Sequence, residues 1–492
     1  MRDLELVLGI GCLVAVLWPA IFGVRSYRGL MATCLVVLVS LQLIFEDYRW
    51  QMLPLLITAA GLAVGDLLAP ERELVWWRRL SRFLFGPVGL AVVVALAVIF
   101  PVPELPAPTG PQPIGTMSFV VTGPEHFEVF DNPGEEEPRE IPVQVWYPSQ
   151  PTDDEPMGWS SRPDEVAERI ALAASVPGWA LSHLDAVSSH AVPDAPMLEG
   201  TLPVIIYSHG WSGFRAGALN QIESLASQGY IVIAPDHLHL SVASVFPDGS
   251  VVGLDEEALP PIDQVVEEEY WNDAERLVET MSEDQIVILD ALASGNGLGE
   301  VAEHADMGRI AIFGHSAGGG AAILTCLFDA RCDGVVGFDP WVEPLDDRAI
   351  GTDPDFPLMV LRSDEWRNTQ NDAVLRGIAE RNRDVAYWIG INGAQHSDFT
   401  LTALLSPYGE RLGLNGTIPV DRMIAVVDSY LRGFMDVHLL GAGSAALETA
   451  EFQGVDFELM PAAPAESESE DGDDVESGAG VPTTTTTPED EG

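Results

Sequence analysis

Arg309-Ile-Ala-Ile-Phe-Gly-His-Ser-Ala-Gly-Gly-Gly320 is the stretch on which the reading of the chain turns. A short apolar run breaks into glycines around one serine, the pattern of a buried strand, a sharp turn and the start of a helix. Gly314, Ser316 and Gly318 form G-x-S-x-G: a strained strand-to-helix turn leaves no room for side chains beside the serine, and it lifts the hydroxyl above the sheet. The helix start supplies backbone N–H groups without intrahelical partners, that of Ala317 first, suited to holding an oxyanion beside a nucleophile. Non-catalytic serine-glycine turns match the same pattern, so the weight rests on its flanks. Here a strand-like run precedes it, and Ala321-Ala-Ile-Leu-Thr-Cys-Leu-Phe328 continues it as an apolar helix.

Working outward, the chain from residue 203 alternates strand-like runs (204–207, 231–234, 310–313, 335–338) with helical ones (217–228, 265–292, 321–328). Further strands at 358–361 and 385–391 flank a helix at 371–381. Such alternation predicts an α/β fold with a doubly wound, mostly parallel sheet, whose reactive loops lie at the carboxyl ends of the strands. A serine nucleophile needs a base, and the base an orienting carboxylate, in the chain order Ser, Asp or Glu, His for this architecture. His396, in the turn-like Gly393-Ala-Gln-His-Ser-Asp-Phe399, is placed late, after the strand ending near Ile391, and reads as the base. Two carboxylates at strand ends fit the third place, Asp339 and Asp364. His209, in Ser208-His-Gly-Trp211, reads as support for an oxyanion loop that aims the Trp211 N–H at the developing charge, and His315 as packing. Asp236, His237 and His239 have no further ligands at metal-site spacing, so the chemistry is expected to need no metal and no cofactor.

The 24 basic residues, every one an arginine, stand against 75 acidic ones, a net charge of −51. A surface so charged repels phosphates and excludes a nucleic-acid role. Cys12 and Cys34 fall in apolar runs, whereas Cys326 and Cys332 follow the serine turn. This is neither a disulfide framework nor a zinc pattern; a short Cys326–Cys332 bridge and two free buried thiols fit equally.

Residues 1–105 read as a membrane anchor of about four transmembrane helices, at 4–24, 29–45, 52–69 and 83–103, each near the ~20 residues a crossing needs. Arg25 and Arg28, and Arg72, Arg78, Arg79 and Arg82, mark the first and third loops as cytoplasmic, so everything after Pro103 is expected outside the cytoplasm. A proline-rich linker covers 106–116 and the catalytic domain 117–445. The domain opens with a hairpin (117–121 with 141–147, across a turn region at 131–138) and carries a cap-like segment at 151–200, in which Trp179 is expected to pack in the core. An acidic, Thr-rich tail at 446–492 is expected to be disordered.

Val143-Gln-Val-Trp-Tyr-Pro148, Ser208-His-Gly-Trp-Ser-Gly-Phe-Arg215, Leu225-Ala-Ser-Gln-Gly-Tyr-Ile-Val232, Gly314-His-Ser-Ala-Gly-Gly319, Phe338-Asp-Pro-Trp-Val-Glu-Pro-Leu345 and the His396 segment together carry a resemblance. Residues 115–440 resemble the platelet-activating factor acetylhydrolase family of α/β-hydrolases. The resemblance implies Ser316 as nucleophile, His396 as base, Asp339 as acid and the N–H groups of Trp211 and Ala317 as oxyanion hole. Cutinase-like polyester hydrolases share the fold and put their acid where Asp364 lies. The implied function is a membrane-anchored serine ester hydrolase cleaving short or truncated acyl esters of phospholipids. A broad carboxylesterase or polyesterase (cutinase-like or dienelactone hydrolase-like) and a catalytically inactive membrane-held sensor are the alternatives.

Overall fold

The computed structural model describes residues 3–22, 28–45, 49–68, 76–124, 138–448 and 452–464. The strands are β1 (Ile114–Thr122), β2 (Glu140–Pro148), β3 (Ala191–Pro193), β4 (Leu202–Ser208), β5 (Ile231–Pro235), β6 (Ala243–Val245), β7 (Val251–Gly253), β8 (Ala305–His315), β9 (Val335–Phe338), β10 (Leu358–Arg362), β11 (Ala386–Ile391) and β12 (Val455–Met460). Ten of them form one sheet in the order β12-β11-β10-β9-β8-β4-β5-β2-β1-β3, and β6 and β7 pair separately. The run from β11 to β5 is parallel throughout, and its six strands are those expected from the alternation. β2 joins it antiparallel to β5, and β1 pairs antiparallel with β2 at Met117↔Val145, as the hairpin reading required. The turn region at 131–138 lies largely outside the described residues.

Alternation along the strands sorts side chains to the two faces. Ile205, Tyr207, Phe313, Phe338 and Leu361 face one core, closed by helices Leu219–Gln228 and Val420–Leu440. Val204, Ile206, Ile310, Ile312 and Val360 face the other, closed by Glu267–Ser294, Ala317–Phe328 and Gln370–Glu380. Each such fully buried side chain contributes about 1.5–3 kcal/mol relative to exposure. The register also decides function: Ser208 lies opposite Gly314, Gly314 opposite Gly337, and Phe338 opposite Leu361. The carboxyl ends of β4, β8, β9 and β10 are therefore level, and the loops after them meet above one edge of the core.

Three expectations need correction, the third of them in the anchor. Within 446–492, expected as a tail, Val455–Met460 is ordered as β12, antiparallel to β11, because Val455 and Met460 are buried against the sheet. Trp179 is 57% exposed and rests edge-on against Trp50, ring centroids 4.9 Å apart, rather than in the core.

The N-terminal segments form four helices, α1 (Asp3–Phe22), α2 (Arg28–Phe45), α3 (Leu53–Leu68) and α4 (Trp76–Ile99), with α1 packed on α2 and α4, and α2 on α3. Among the described residues, only α1 is long and apolar enough by length and composition to cross a membrane, not about four helices. The physical reason is in the ends. The apolar part of α2 begins at Gly29, and that of α4 at Phe83, after Arg78, Arg79 and Arg82; the third runs from Trp50 to Val64, and each of the three is 17 residues or fewer.

Cys326 and Cys332 are joined by a disulfide, and Cys12 and Cys34 are free. Thiol titration of the unfolded, unreduced chain is expected to find the two free thiols, and all four cysteines after reduction; four before reduction would disprove the bridge. Replacing both bridged cysteines by serine should lower the unfolding free energy by about 2 kcal/mol, the loop-closure value for so short a ring.

Candidate active site

Ser316 sits at the end of β8 with φ 55° and ψ −124°, a conformation a serine adopts only when its surroundings impose it. The imposition is steric and local. A Cβ on Gly314 would lie 2.3 Å from the Gly318 carbonyl oxygen, and one on Gly318 would lie 2.3 Å from those of Ser208 and His209. Only glycine lets the helix Ala317–Phe328 start this close to β8 and β4. The turn is closed by Ser316 N–H donating to Phe338 O at 3.0 Å, while Ser316 O accepts from Gly319, Gly320 and Trp341.

Asp339 follows β9 with φ 42° and is fully buried. Its carboxylate accepts from the Ser363 N–H at 2.8 Å and from His396 Nδ1–H at 3.1 Å. That second bond leaves His396 Nε2 as the basic nitrogen. Around His396, the Trp366 ring stacks at 4.6 Å and 12°, Glu365 accepts from its N–H at 3.1 Å, and His315 Nε2–H donates to its carbonyl oxygen at 3.0 Å. Burial pushes the imidazole of His396 down to about 4, opposed by Glu365, and pushes the Asp339 carboxyl up to about 6, opposed by the Ser363 N–H. Neutral pH therefore finds a neutral imidazole beside an ionised carboxylate. Burial also holds His315 neutral, at about 3, which fits its role as a hydrogen-bond donor to backbone.

Ser316 and His396 line one open cleft of about 820 Å³, together with Trp211, Phe214, Ile170 and Thr402. Among the described residues no hydrogen bond joins Ser316 to His396; such bonds commonly tighten only when substrate is engaged. Nor does any protein acceptor meet the N–H of Trp211, which lines the cleft, or of Ala317, which directly follows Ser316, among the described residues. Asp364, the other candidate acid, is half exposed and does not reach His396: its Oδ2 accepts from the Gly393 N–H at 2.6 Å, bracing the histidine loop from outside.

The loop carrying Trp211 is held from below by a buried polar chain. Arg139 meets Asp284 through Nε at 2.7 Å and Nη2 at 3.0 Å; Asp284 accepts from His237 Nδ1–H at 2.8 Å; His237 Nε2 meets Ser208 Oγ at 2.8 Å. The His237 N–H donates to His209 Nε2 at 3.1 Å, and His209 Nδ1–H donates to Gly210 O at 2.8 Å. At the other end of the loop Asp236 accepts from the Arg215 N–H and Nε–H, each at 2.7 Å. Asp236 and His237, which superficially resembled metal ligands, are thus committed to fixing the loop, and His209 supports it as expected.

These arrangements accompany a clear relationship to known proteins. The family described as "Platelet-activating factor acetylhydrolase, isoform II" matches residues 104–439, well over half of the chain. The chain belongs to that family. Among curated relatives, platelet-activating factor acetylhydrolase of Canis lupus familiaris is 24% identical over 348 residues, 65% of this chain and 76% of that protein. The Bos taurus protein of the same name is 27% identical over 258 residues, 48% of this chain. The matched region spans only 57% of the bovine protein's length. Among solved structures, a ferulic acid esterase from Streptomyces cinnamoneus superposes with a TM-score of 0.60 at 24% identity, covering 72% of this chain and 99% of its own, a likeness of fold.

Sequence reading missed the partners that act through others. Asp284 lies on the helix Glu267–Ser294 in the buried stripe with Leu277, Met281 and Ile288, so a charge at apolar spacing was the available signal. Trp366 follows Asp364 by two residues in the same strand-end loop, and nothing in its spacing marks it as a stacking partner of His396.

Replacing Asp339 by asparagine should lower kcat on the order of 10³–10⁴-fold, the cost of a disoriented base, whereas Asp364→Asn should change it only a few-fold; the reverse ranking would reassign the acid. Activity should fall as pH drops through about 6, where the Asp339–His396 pair takes up its first proton. In Asp339→Asn the limb should move lower, toward the value near 4 at which burial holds His396. Asp284→Asn removes the carboxylate that Arg139 meets in a fully buried setting and should cost about 3–5 kcal/mol in urea unfolding; a loss below about 1 kcal/mol would show the chain carries no stability.

Proposed function

We propose that this protein is a membrane-anchored serine ester hydrolase that cleaves short or truncated acyl esters of phospholipids. The observation that carries the reading is the convergence, in one cleft, of a strained serine, a histidine bonded through Nδ1 to a buried carboxylate, and the Trp211 N–H without a protein acceptor, with the equally unpartnered Ala317 N–H directly after the serine. Ser316 Oγ attacks the ester carbonyl as His396 Nε2 takes its proton; the carbonyl oxygen becomes an oxyanion facing the N–H groups of Trp211 and Ala317. The C–O bond to the alcohol then breaks, and His396 returns the proton to the leaving oxygen. Water repeats the cycle on the acyl-serine, its proton passing to His396, and the acid and free Ser316 result. Asp339 holds the imidazole in the required tautomer and stabilises its charge in the transition state. Membership of the family supports phospholipid esters as the substrate class.

The anchor reading is supported by the bundle's surface. Ile10, Phe22, Leu30, Ile44, Ile57 and Phe85 all point outward, more than half exposed, around an interior that includes Leu8, Ala15, Leu35 and Ala59. Such an inside-out surface suits lipid. At one end of the bundle Glu5 of α1, Arg49 just before α3 and the Phe100 carbonyl just after α4 are bonded together. That end adjoins the catalytic domain. Arginine in the two opposite loops, and the Cys326–Cys332 disulfide, support an extracytoplasmic catalytic domain.

A membrane-impermeant fluorophosphonate tests chemistry and orientation together. Labelling of intact cells that disappears with Ser316→Ala is expected. Labelling only after permeabilisation would reverse the orientation, and no labelling under either condition would remove the hydrolase reading.

A further inference from the structure

The cap leaves and rejoins the fold through a narrow neck: Gly158 and Ser188 bridge antiparallel, and the Trp159 N–H donates to Val187 O at 3.2 Å. Between the two sides of the neck lie two helices, Pro163–Ala173 and Gly178–Ala186, packed so closely that a Cβ on Gly178 would lie 2.7 Å from Cγ of Glu168. The first helix is secured near its start, where Val166 and Ala167 are buried in the main core, and it ends at the catalytic cleft, where Ile170 and Ala173 form part of the wall. Beyond Ala171 that wall has little core to rest on. Every residue from Leu172 to Pro177 is exposed, and Ser175 turns the chain at φ 58°.

The far side of this turn is held by the anchor. Trp50 Nε1–H donates to Ala180 O at 2.9 Å, and the Trp50 ring meets that of Trp179 edge-on at 4.9 Å. Trp50 is itself fixed from behind. Its neighbour Arg49 is buried and donates through Nε–H to Glu5 at 2.8 Å and through Nη1–H to the Phe100 carbonyl at 3.2 Å. Arg49 also lies close enough to the cap to act on it: His183, in the same short helix as Ala180, is buried and held neutral, at about 4, first by burial and then by the Arg49 charge. A segment with few buried contacts opens locally at little cost, so a ring contact and a hydrogen bond at its end decide how firmly it stands.

Resting on the hydrolase reading above, we propose that Trp50 is a positioning residue for the catalytic site: by gripping Trp179 and Ala180 it fixes the Ile170–Ala173 wall of the cleft, and the anchor thereby sets which esters reach Ser316. Esters too small to touch this wall are indifferent to the grip. Bulkier ones lose part of their binding surface when it is released.

The test uses the full chain in lipid nanodiscs, with Trp50→Ala, Trp50→Phe and, from the cap side, Trp179→Ala, compared by amide hydrogen exchange and by hydrolysis of methyl acetate and 4-nitrophenyl butyrate. In both alanine variants exchange over residues 168–184 is expected to rise about tenfold, while that over 310–328 stays as in the wild type. The kcat/KM for the butyrate should fall about tenfold, through KM, and that for methyl acetate by less than about twofold. Trp50→Phe, which keeps a ring and loses the N–H, should recover part of the loss. Adding Trp50→Ala to Ile170→Ala should cost little beyond Ile170→Ala alone, since both act through one wall. An unchanged butyrate-to-acetate ratio in variants that still label with fluorophosphonate would overturn this inference alone, as would equal losses on both esters, exchange that speeds throughout the catalytic domain, or full additivity with Ile170→Ala. Absence of labelling and of all ester hydrolysis in the wild type would remove the hydrolase reading, and this inference with it.

Discussion

The contact on which the site depends is the one between the start of the Ala317–Phe328 helix and the ends of β8 and β4, where no side chain fits. Gly318 lies against the carbonyl oxygens of Ser208 and His209, and Gly314 against Gly318 itself. Holding Ser316 at positive φ costs about 1–3 kcal/mol, which the hydrogen bonds at its own N–H and carbonyl offset. This one close approach sets three things together. It exposes the serine hydroxyl, it orients the Ala317 N–H, and it fixes how far the Trp211 loop stands from both. A methyl group at Gly314 or Gly318 would separate the helix from the strands and disperse all three.

Around that contact the polar groups divide by depth. Beneath the cleft, Arg139, Asp284 and His237 are fully buried and satisfy one another, so the Arg139–Asp284 ion pair braces the loop without touching solvent. At the cleft itself His396 keeps about a quarter of its side chain exposed, while Asp339 behind it is sealed. A serine, a histidine and an aspartate come together twice, once at Ser316 and once as Ser208–His237–Asp284. The second set, wholly buried, has no access to a substrate and acts as a brace. Access and backbone strain, rather than the trio of residue types, separate the two.

Much of this was legible in the sequence, and the reason is periodicity. Six buried strands alternating with helices marked a mostly parallel sheet, and G-x-S-x-G at the third of them put Ser316 at a carboxyl end. The candidate acid was open between Asp339 and Asp364 because both follow strands; only the fold shows that Asp339 turns inward at positive φ to reach His396, while Asp364 turns out to Gly393. Trp179 misled because a tryptophan in an apolar patch reads as core, whereas its partner, Trp50, lies 129 positions away in the anchor. The ends of the anchor helices were blurred for a different reason: hydropathy reports composition, not where a helix starts. β12 had its signal in Val455-Asp-Phe-Glu-Leu459, which alternates apolar and acidic residues, but so short a run was absorbed into the acidic, Thr-rich stretch that follows it.

β12 has a further bearing on where this protein can be divided. The family resemblance stops at residue 439, yet β11 is completed only by Val455–Met460, 16 positions later. A chain ended at the family limit would leave the N–H and C=O groups of Ala386–Ile391 that face away from β10 without their ladder partners, on a strand buried along its whole length. An unpaired, apolar strand of this kind recruits a neighbour, and self-association is its usual fate. The region the family covers is thus shorter than the unit that folds, because the strand at that edge of the sheet lies beyond it.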